Sequence, residues 1–332
     1  MTRMNRRRPL FWSILFYAAF LSVVFASQVQ GQEGRTKLRI AIPNTSICCL
    51  HLFAAQRWKV FEDHGLDVEI VLMRPQVASA AMIAGEIPYF AGVGANSVAA
   101  TLRGMASRAV WFASDQLIYS LLARPEFKTL RELRSKRLGI GSLGDSTEVS
   151  LRIGLEAVGE NPKDFVILGV GNANLMSALE SGSIDAALLN PPFLYYAKRK
   201  GFRELLDIGA HVKMPIGGLT TLMSTIQNRP AEMRRLIRAM QTAKRSLLQS
   251  KEKSVDLIMR DLKMNRETAE DTYADYQKTV SGSGIPSREG IEQIVKSLQL
   301  LGQFSGRKIA FEEVADARIA REVAKELGYK VD

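Results

Sequence analysis

Most of the side chains that could bind a small molecule lie in or beside four polar or glycine-rich turns, at 44–49, 94–97, 142–147 and 190–192. Each turn follows a segment with the alternating pattern of a β-strand and precedes a segment with helical spacing. The candidate ligand-binding residues in and beside these turns are Ser46, Cys48, Cys49, Asn96, Ser97, Asp115, Ser142, Asp145, Ser146, Thr147 and Asn190. Open α/β sheets bind ligands at the carboxyl ends of parallel strands, where the next helix begins with free N–H groups. The pattern therefore predicts one binding site that is built from several turns.

The motifs offer little for catalysis. The run 139–144 (GIGSLG) matches the dinucleotide fingerprint, but the next predicted strand, 165–168, does not end in the acidic residue that would hold a ribose. No Gly-Lys-Ser or Gly-Lys-Thr loop occurs, and no Gly-x-Ser-x-Gly elbow is followed by a suitable histidine. Cys48 and Cys49 have only His51 near them as a base. We therefore predict no catalytic residue and no cofactor, and we interpret 139–144 as a turn into a helix N-terminus.

The composition is that of an ordinary globular protein. The chain has 332 residues, of which 46% are hydrophobic and 24% charged, and this excludes collagen-like, disordered and disulfide-framework classes. The two cysteines are adjacent and the three histidines lie far apart in the chain. No metal site is therefore predicted.

The first 31 residues have the order of an export signal. Four arginines lie within the first eight residues, an apolar run extends from Leu10 to Ala26, and small or polar residues follow. Cleavage fits after Ala26 or after Gly31. We expect the mature protein in the periplasm or on the extracellular face. The alternative is a retained membrane anchor, because the run approaches the roughly 20 residues that span a bilayer.

Strand and helix patterns alternate along the rest of the chain. After a first alternating strand, a helix is predicted from Leu52 to His64, and a second helix from Val77 to Ala84 follows the next strand. A second series of the same kind begins after Pro125, and the chain beyond Gly218 is mainly helical. Such alternation implies parallel-rich sheets with right-handed crossovers. We therefore predict an α/β protein with two successive lobes that face each other across a cleft.

Four short runs carry a family resemblance. They are 38–41 (LRIA), 61–69 (FEDHGLDVE), 84–87 (AGEI) and 179–187 (LESGSIDAA). With these runs the chain resembles, from about residue 37 to about residue 250, the solute-binding proteins of bacterial ABC importers. The resemblance is to the group that binds taurine, alkanesulfonates, nitrate or thiamine pyrimidines.

This resemblance implies a type II periplasmic-binding-protein fold of the Venus-flytrap kind. It divides the chain into a signal peptide (1–31), a first lobe (36–121), a second lobe (122–217) and a return to the first lobe with C-terminal helices (218–332), and it places two crossing segments near 121–124 and 217–221. The implied function is capture of a small organic molecule in the cleft and delivery to a membrane permease. We expect the protein to be a monomer. We expect no nucleic-acid partner, because few aromatic residues interleave with the basic residues of the C-terminal helices.

The chain departs from its relatives in ways that bear on the ligand. Asn190-Pro191-Pro192 stands where many relatives have tryptophan, glutamate and proline, and none of the four turns contains an arginine or a lysine. Asp115, Asp145 and Glu148 lie near the turns instead. We therefore expect a neutral or amine-bearing ligand rather than a strongly anionic one. A planar ligand would stack on Trp111, Phe193 or Tyr195, although core packing explains these aromatic residues equally well.

Two alternative functions stay open. One is an enzyme like the thiamine-pyrimidine synthases, whose relatives carry a cysteine-rich motif in the second lobe. This chain has no cysteine after Cys49, which argues against that alternative. The other is a free-standing receptor that passes its ligand to a membrane sensor.

Overall fold

Ten strands form the framework of the residues that the computed structural model describes, 34–331. They are β1 (Thr36–Ile42), β2 (Leu66–Leu72), β3 (Tyr89–Phe90), β4 (Ser107–Phe112), β5 (Ser120–Ala123), β6 (Arg137–Ile140), β7 (Val166–Gly169), β8 (Ala186–Leu189), β9 (Arg203–Asp207) and β10 (Gly218–Leu222). Five strands build one sheet in the order β2-β1-β3-β10-β4, and the other five build a second sheet in the order β7-β6-β8-β5-β9. This arrangement agrees with the predicted α/β class.

The two sheets share one topology. β1 pairs in parallel with β3, and β6 pairs in parallel with β7 and β8. In each sheet an antiparallel strand occupies the place next to one edge: β10 lies between β3 and β4, and β5 lies between β8 and β9. Each of these is the strand through which the chain enters that sheet from the other lobe. The lobes are therefore joined by two passages of the chain, one into β5 and one into β10.

The two connections between the lobes run side by side. The first crossing segment, 113–119, joins β4 to β5, and the second, 212–217, leads into β10. The Ala113 N–H donates to the Gly217 carbonyl over 3.3 Å, and the Ser114 hydroxyl donates to the Ile216 carbonyl over 2.6 Å. Gly217 has φ 75°, a conformation that glycine adopts without strain. Since β5 starts at Ser120, residues 121–123 lie inside the second sheet.

Fifteen helices cover the sheets within the described range. They are α1 (Leu50–Arg57), α2 (Val60–Asp63), α3 (Pro75–Ile83), α4 (Ala95–Leu102), α5 (Ser146–Ala157), α6 (Leu175–Glu180), α7 (Phe193–Arg199), α8 (Ile208–His211), α9 (Met223–Asn228), α10 (Pro230–Gln249), α11 (Lys251–Asp261), α12 (Arg266–Thr279), α13 (Arg288–Leu300), α14 (Phe311–Val314) and α15 (Arg318–Glu326). The helix predicted from Leu52 to His64 is two helices, because Lys59 adopts a left-handed φ of 60° that interrupts the hydrogen-bond ladder. The helix predicted to start at Val77 starts at Pro75, whose fixed φ suits a first helical position.

The C-terminal helices contact both lobes. Helix α13 packs against α4 of the first lobe and α5 of the second, and one hydrophobic cluster includes Val98, Val149 and Ile294 from these three helices. Another C-terminal helix, α12, contacts α7 of the second lobe, and the Tyr195 hydroxyl on α7 donates to the Asp275 carboxylate on α12. The lobes therefore share buried apolar surface beside the crossing segments.

Within the described range, no helix combines the length and the apolar character that a bilayer span requires. The predicted signal peptide lies outside the described residues.

The first-lobe core contains a buried histidine. The His51 ring on α1 lies 4.8 Å from the Trp111 ring on β4, measured between centroids, and both residues are almost completely buried. Burial disfavours the charged imidazolium and lowers the His51 pKa to about 3, and the nearby Lys244 charge acts in the same direction. His51 is therefore a neutral part of the core at neutral pH.

We predict that His51 makes the protein sensitive to acid. The unfolded chain binds a proton at His51 below about pH 6.5, whereas the folded protein does so only near pH 3. The free energy of unfolding should therefore fall as the pH drops from 6.5 towards 3, by up to about 1.4 kcal/mol per pH unit from this one group. Urea unfolding at pH 7 and pH 4.5 tests this. His51→Leu should lose less stability between the two pH values than the wild type. The control variant His211→Gln, which changes an exposed histidine, should lose as much stability as the wild type. Equal losses in all three proteins would show that His51 does not contribute.

Candidate functional site

A cavity lies between the two lobes, at the carboxyl ends of the parallel strands. Its volume is about 410 Å³, within the range of about 300–1,000 Å³ that is usual for small-molecule sites. The first lobe and the crossing segments line it with Pro43, Asn44, Ser46, Cys48, Arg74, Pro75, Gln76, Phe90, Ala91, Gly92, Val93, Gly94, Asn96, Ser97, Tyr119, Ile216 and Gly217. The second lobe lines it with Ser142, Leu143, Gly144, Asp145, Ser146, Thr147, Asn172 and Asn190. We call this cavity the interlobe cleft.

A larger depression, of about 850 Å³, lies at the opposite end of β4 and β10. Its charged side chains are largely paired with one another: Arg288 lies 2.7 Å from the Glu312 carboxylate, and Arg318 lies 2.6 Å from the Asp316 carboxylate. Of these two cavities, the interlobe cleft is the one that joins polar groups from both sheets, and it is therefore the better candidate for a ligand site.

The first-lobe wall presents hydrogen-bond donors. Helix α4 begins after Gly94, which has no side chain to cap it, so the first N–H groups of the helix face the cleft beside Asn96 and Ser97. Ser46 is 7% exposed, and its hydroxyl lies beside the Cys48 thiol, a weak hydrogen-bonding group, with no nitrogen or oxygen partner among the described residues. A buried polar group without a partner is costly. A ligand in the cleft would supply that partner.

The second-lobe wall has the opposite character. Asp145 caps α5, and its Oδ1 accepts hydrogen bonds from the N–H groups of Thr147 (2.7 Å) and Glu148 (3.2 Å) and from the Thr147 hydroxyl (2.5 Å). The negative charge of Asp145 thus occupies the helix terminus that an anionic ligand would otherwise use. Among residues 34–331, the hydrogen bonds that this carboxylate accepts go to Oδ1, and none goes to Oδ2.

Asp145 Oδ2 and the Asn172 amide converge above Gly141. A Cβ atom at Gly141 would lie 2.5 Å from Asn172 Oδ1, closer than real Cβ atoms approach, and 3.0 Å from Asp145 Oδ2, which is a tight contact. The two side chains therefore lie directly over the Gly141 backbone, and a larger residue at this position would displace the Asn172 side chain. Their polar atoms form a compact patch on the second-lobe wall, which can accept a hydrogen bond from a ligand.

The cleft also contains a cation that the four turns lack. Arg74 precedes α3, at the end of β2, and its guanidinium has no ion-pair partner among residues 34–331. The turn at 73–76 was missed because it is neither polar throughout nor rich in glycine. The turn at 73–76 follows β2, which lies beside β1 in the sheet. A rule that counts the end of every strand of the sheet would therefore have included this turn in the predicted site.

Most of the predicted binding residues line the cleft, but Cys49 and Asp115 do not. Cys49 is fully buried in the first-lobe core, because the short helical turn that contains it points one cysteine outward and the next inward. Asp115 lies in the first crossing segment, where its N–H donates to the Thr279 carbonyl. The residues that the prediction placed in the cleft and the structure also places there are Ser46, Cys48, Asn96, Ser97, Ser142, Asp145, Ser146, Thr147 and Asn190.

The proposed stacking aromatics lie elsewhere. Trp111 is fully buried and donates to Gln241, Tyr195 donates to Asp275, and Phe193 is exposed on α7 outside the cleft. The aromatic side chains that do line the cleft are Phe90 and Tyr119. Sequence spacing gave no signal for either, because both sit in strands or crossings with ordinary core patterns.

Comparison with known proteins establishes the family. The model of the family described as NMT1/THI5 like matches residues 49–253, which is more than half of the chain. The chain belongs to this family. The match includes every cleft-lining residue from Arg74 to Gly217, and only the first turn precedes it.

Several proteins that are similar to this chain have names that describe ligand binding. A candidate binding protein of Brucella abortus (strain 2308) is 26% identical over 220 residues, which are 64% of this chain and 67% of that protein. The ligand-binding component of an ABC-type import system from Staphylococcus aureus superimposes with a TM-score of 0.73 at 14% identity, over 87% of this chain and 99% of the other. The alkanesulfonate-binding protein SsuA from Xanthomonas axonopodis, bound to MOPS, has a TM-score of 0.69 at 19% identity, over 86% and 97%.

These likenesses confirm the two-lobed periplasmic-binding-protein fold and the family resemblance predicted from the sequence. The fold also occurs in an enzyme. The desulfurization enzyme DszB superimposes with a TM-score of 0.64 at 13% identity, over 88% of this chain and all of the other. The fold alone therefore does not determine whether the cleft binds a ligand or catalyses a reaction, and the residues that line the cleft decide between the two.

We predict that Asp145 stabilises this family member by capping α5, separately from any role of its charge. Asp145→Ala removes the acceptor for two backbone N–H groups and should lower the free energy of unfolding by about 1 kcal/mol. Asp145→Asn retains an acceptor oxygen and should lose clearly less. Glu156→Ala, which removes an exposed carboxylate from the other end of α5, is the control and should change stability little. Urea unfolding at pH 7 measures all four proteins. Equal stability of the alanine and asparagine variants would contradict the capping role.

Proposed function

We propose that this protein is an extracytoplasmic solute-binding protein that captures a small organic molecule in the interlobe cleft and delivers it to the permease of an ABC transporter. The observation that carries the proposal is the 410 Å³ cleft, which receives polar groups from the strand ends of both lobes. The family membership and the names of the relatives support it.

The polarity of the cleft indicates the kind of ligand. The first lobe offers the Arg74 guanidinium, the open N-terminus of α4 and the Ser46 hydroxyl, all of which suit an anionic or carbonyl group. The second lobe offers Asp145 Oδ2 and the Asn172 amide, which suit an amino or amide group. The ligand that fits both walls carries an anionic group at one end and a nitrogen donor at the other. This adds an anionic end to the amine-bearing ligand expected from the turns alone, because Arg74 lies outside those turns.

The cleft is suited to binding and not to covalent catalysis. Cys48 is the thiol that lines it, and burial raises the Cys48 pKa to about 11, so the thiol stays neutral and weakly nucleophilic at physiological pH. Among the described residues, no histidine lines the cleft to act as its base. We therefore propose that the protein releases its ligand unchanged, in contrast to the enzyme of the same fold.

The location and partners follow from the same proposal. Residues 1–31 would direct export and be removed after Ala26 or Gly31. The mature protein would work as a monomer in the periplasm or on the extracellular face, with the permease as its protein partner.

A thermal-shift screen of the purified, ligand-free protein tests the proposal. The panel contains amino acids, carboxylates, sulfonates, pyrimidines and amines. A ligand at about 100 times its Kd should stabilise the folded state by about 2.7 kcal/mol and raise Tm by several degrees. Compounds with both an anionic group and an amino or amide group should give larger shifts than compounds with either group alone. Mass spectrometry of a compound that binds should recover it unchanged. A new product would contradict the absence of chemistry, and no shift with any compound would contradict the solute-binding function.

Arg74 should contribute directly to the affinity for the anionic end of the ligand. Arg74→Gln removes a charge-assisted hydrogen bond and should weaken binding of the best compound from the screen by about tenfold or more in titration calorimetry. Arg131→Gln removes an exposed arginine from the second lobe, away from the cleft, and should leave the affinity unchanged. Equal affinities of Arg74→Gln and the wild type would exclude this role.

A further inference from the structure

Helices α7 and α12 touch each other across the boundary between the two lobes. The apolar residues of α7, such as Leu194 and Ala197, belong to a core cluster of the second lobe. Those of α12, such as Ala269 and Tyr273, belong to the core of the first lobe together with β1 and β2. Each helix is therefore fixed in its own lobe, and any contact between the two helices also joins the lobes.

The contact between α7 and α12 is polar. The Tyr195 hydroxyl donates to the Asp275 carboxylate and also lies 3.2 Å from the Asp271 carbonyl. Arg199, one turn later on α7, pairs with the Asp271 carboxylate at 2.9 Å and with the Glu267 carboxylate at 3.1 Å. We call these five residues the interlobe strap.

The spacing of these residues explains why they meet. Tyr195 and Arg199 are four positions apart, so they lie on one face of α7. Glu267, Asp271 and Asp275 follow one another at the same interval on α12, where like charges repel each other. Arg199 offsets part of this repulsion because it pairs with two of the three carboxylates. The acidic face of α12 thus has its cationic partner in the other lobe.

The strap differs in character from the other contact between the lobes. Helix α13 joins α4 and α5 through buried apolar side chains, and such a contact loses stability when water enters it. The Arg199 and Glu267 side chains of the strap are 30% and 72% exposed, and exposed ion pairs exchange for water at little cost. A rotation of one lobe against the other would therefore release the strap before it separates the apolar contact.

The strap is connected at one end to the cleft and at the other to a crossing segment. Helix α7 begins three residues after Asn190, which lines the cleft, and the Leu194 N–H donates to the Asn190 carbonyl over 3.1 Å. Helix α12 ends at Thr279, whose carbonyl accepts a hydrogen bond of 3.1 Å from the Asp115 N–H in the first crossing segment. Movement at the strap would therefore reach both a wall of the binding site and the connection between the lobes.

We propose that the interlobe strap holds the second lobe in the orientation in which both walls of the cleft face one ligand, and that its release accompanies opening of the cleft. Tyr195 and Arg199 are positioning residues, since neither lines the cleft. The inference rests on the proposed solute-binding function for its biological meaning, but the effect of the strap on the lobes can be measured without a ligand.

Pulsed electron resonance between two nitroxide labels measures that effect. The labels are attached at Ile83→Cys in the first lobe and Val166→Cys in the second, both of which are exposed and outside the cleft. A Cys48→Ser background removes the thiol of the cleft. The protein with an intact strap should give one main distance. Tyr195→Phe/Arg199→Gln should add a second distance in about a tenth or more of the molecules, because the observed orientation loses its polar contacts.

Two matched changes on and beside α7 serve as controls. Tyr196→Phe removes a hydroxyl from a ring that packs on Phe193 of the same helix, and Lys200→Gln removes an ion pair with Glu180 inside the second lobe. The double control variant should keep the single distance. A strap variant with the same distance distribution as this control would overturn the proposal.

A double-mutant cycle tests the hydrogen bond itself. Tyr195→Phe and Asp275→Ala remove the two ends of one contact, so the double variant should show no larger second population than either single variant. Effects that add up would show that the two residues act separately and would contradict the strap. Should Asp275→Ala fail to fold, Tyr195→Phe, which removes one oxygen atom, decides the distance measurement.

The best compound from the ligand screen tests the consequence for binding. The apparent Kd rises when the binding-competent orientation is less populated, so Tyr195→Phe/Arg199→Gln should weaken binding by about threefold or more in titration calorimetry. The double control variant should bind like the wild type. Equal affinities of the strap variant and the control would overturn the role of the strap in binding. A screen without any hit would count against the solute-binding function and would leave the distance measurements unchanged.

Discussion

The structure depends on one constraint, which is that the chain passes between its two sheets along two segments that lie side by side. The hydrogen bonds from Ala113 to Gly217 and from Ser114 to Ile216 hold these segments together. Because each segment enters an antiparallel strand near the edge of its new sheet, the parallel strands of both lobes end towards each other. The cleft is a consequence of this geometry, and so is the meeting of turns that are more than 140 residues apart, such as those at Ser46 and Asn190.

Local sequence patterns were sufficient to predict the parts of the fold that depend on local physics. The alternation in Leu66–Leu72 and the helical spacing that follows are set by burial on one face. The strand-end rule then grouped Ser46, Asn96 and Asp145, which line one cavity in the structure. The capping role of Asp145 is local in the same sense, because an acidic residue before a helix accepts hydrogen bonds from its first N–H groups.

The remaining features depend on tertiary contacts that no local pattern encodes. Arg74 enters the cleft because β2 lies next to β1, and Asp115 lies outside it on a crossing segment that is hydrogen-bonded to residues 279–281. The two adjacent cysteines differ because a short helical turn directs Cys48 to the cleft and Cys49 to the core. Trp111 is as suitable for stacking on a ligand as for packing in a core, and only the position of α10 decides between them.

The divided role of Asp145 restricts how this cleft could change its preference during evolution. One oxygen of the carboxylate holds the start of α5, and the other faces the cleft, so exchanging this residue for a cation would cost the helix its cap as well as the site its charge. Arg74 and Asn172 have no comparable role in stabilising the fold, since neither caps an α-helix through its side chain. New ligand preferences would therefore be reached with least loss of stability by substitutions at these two positions, around an acidic group that stays in place.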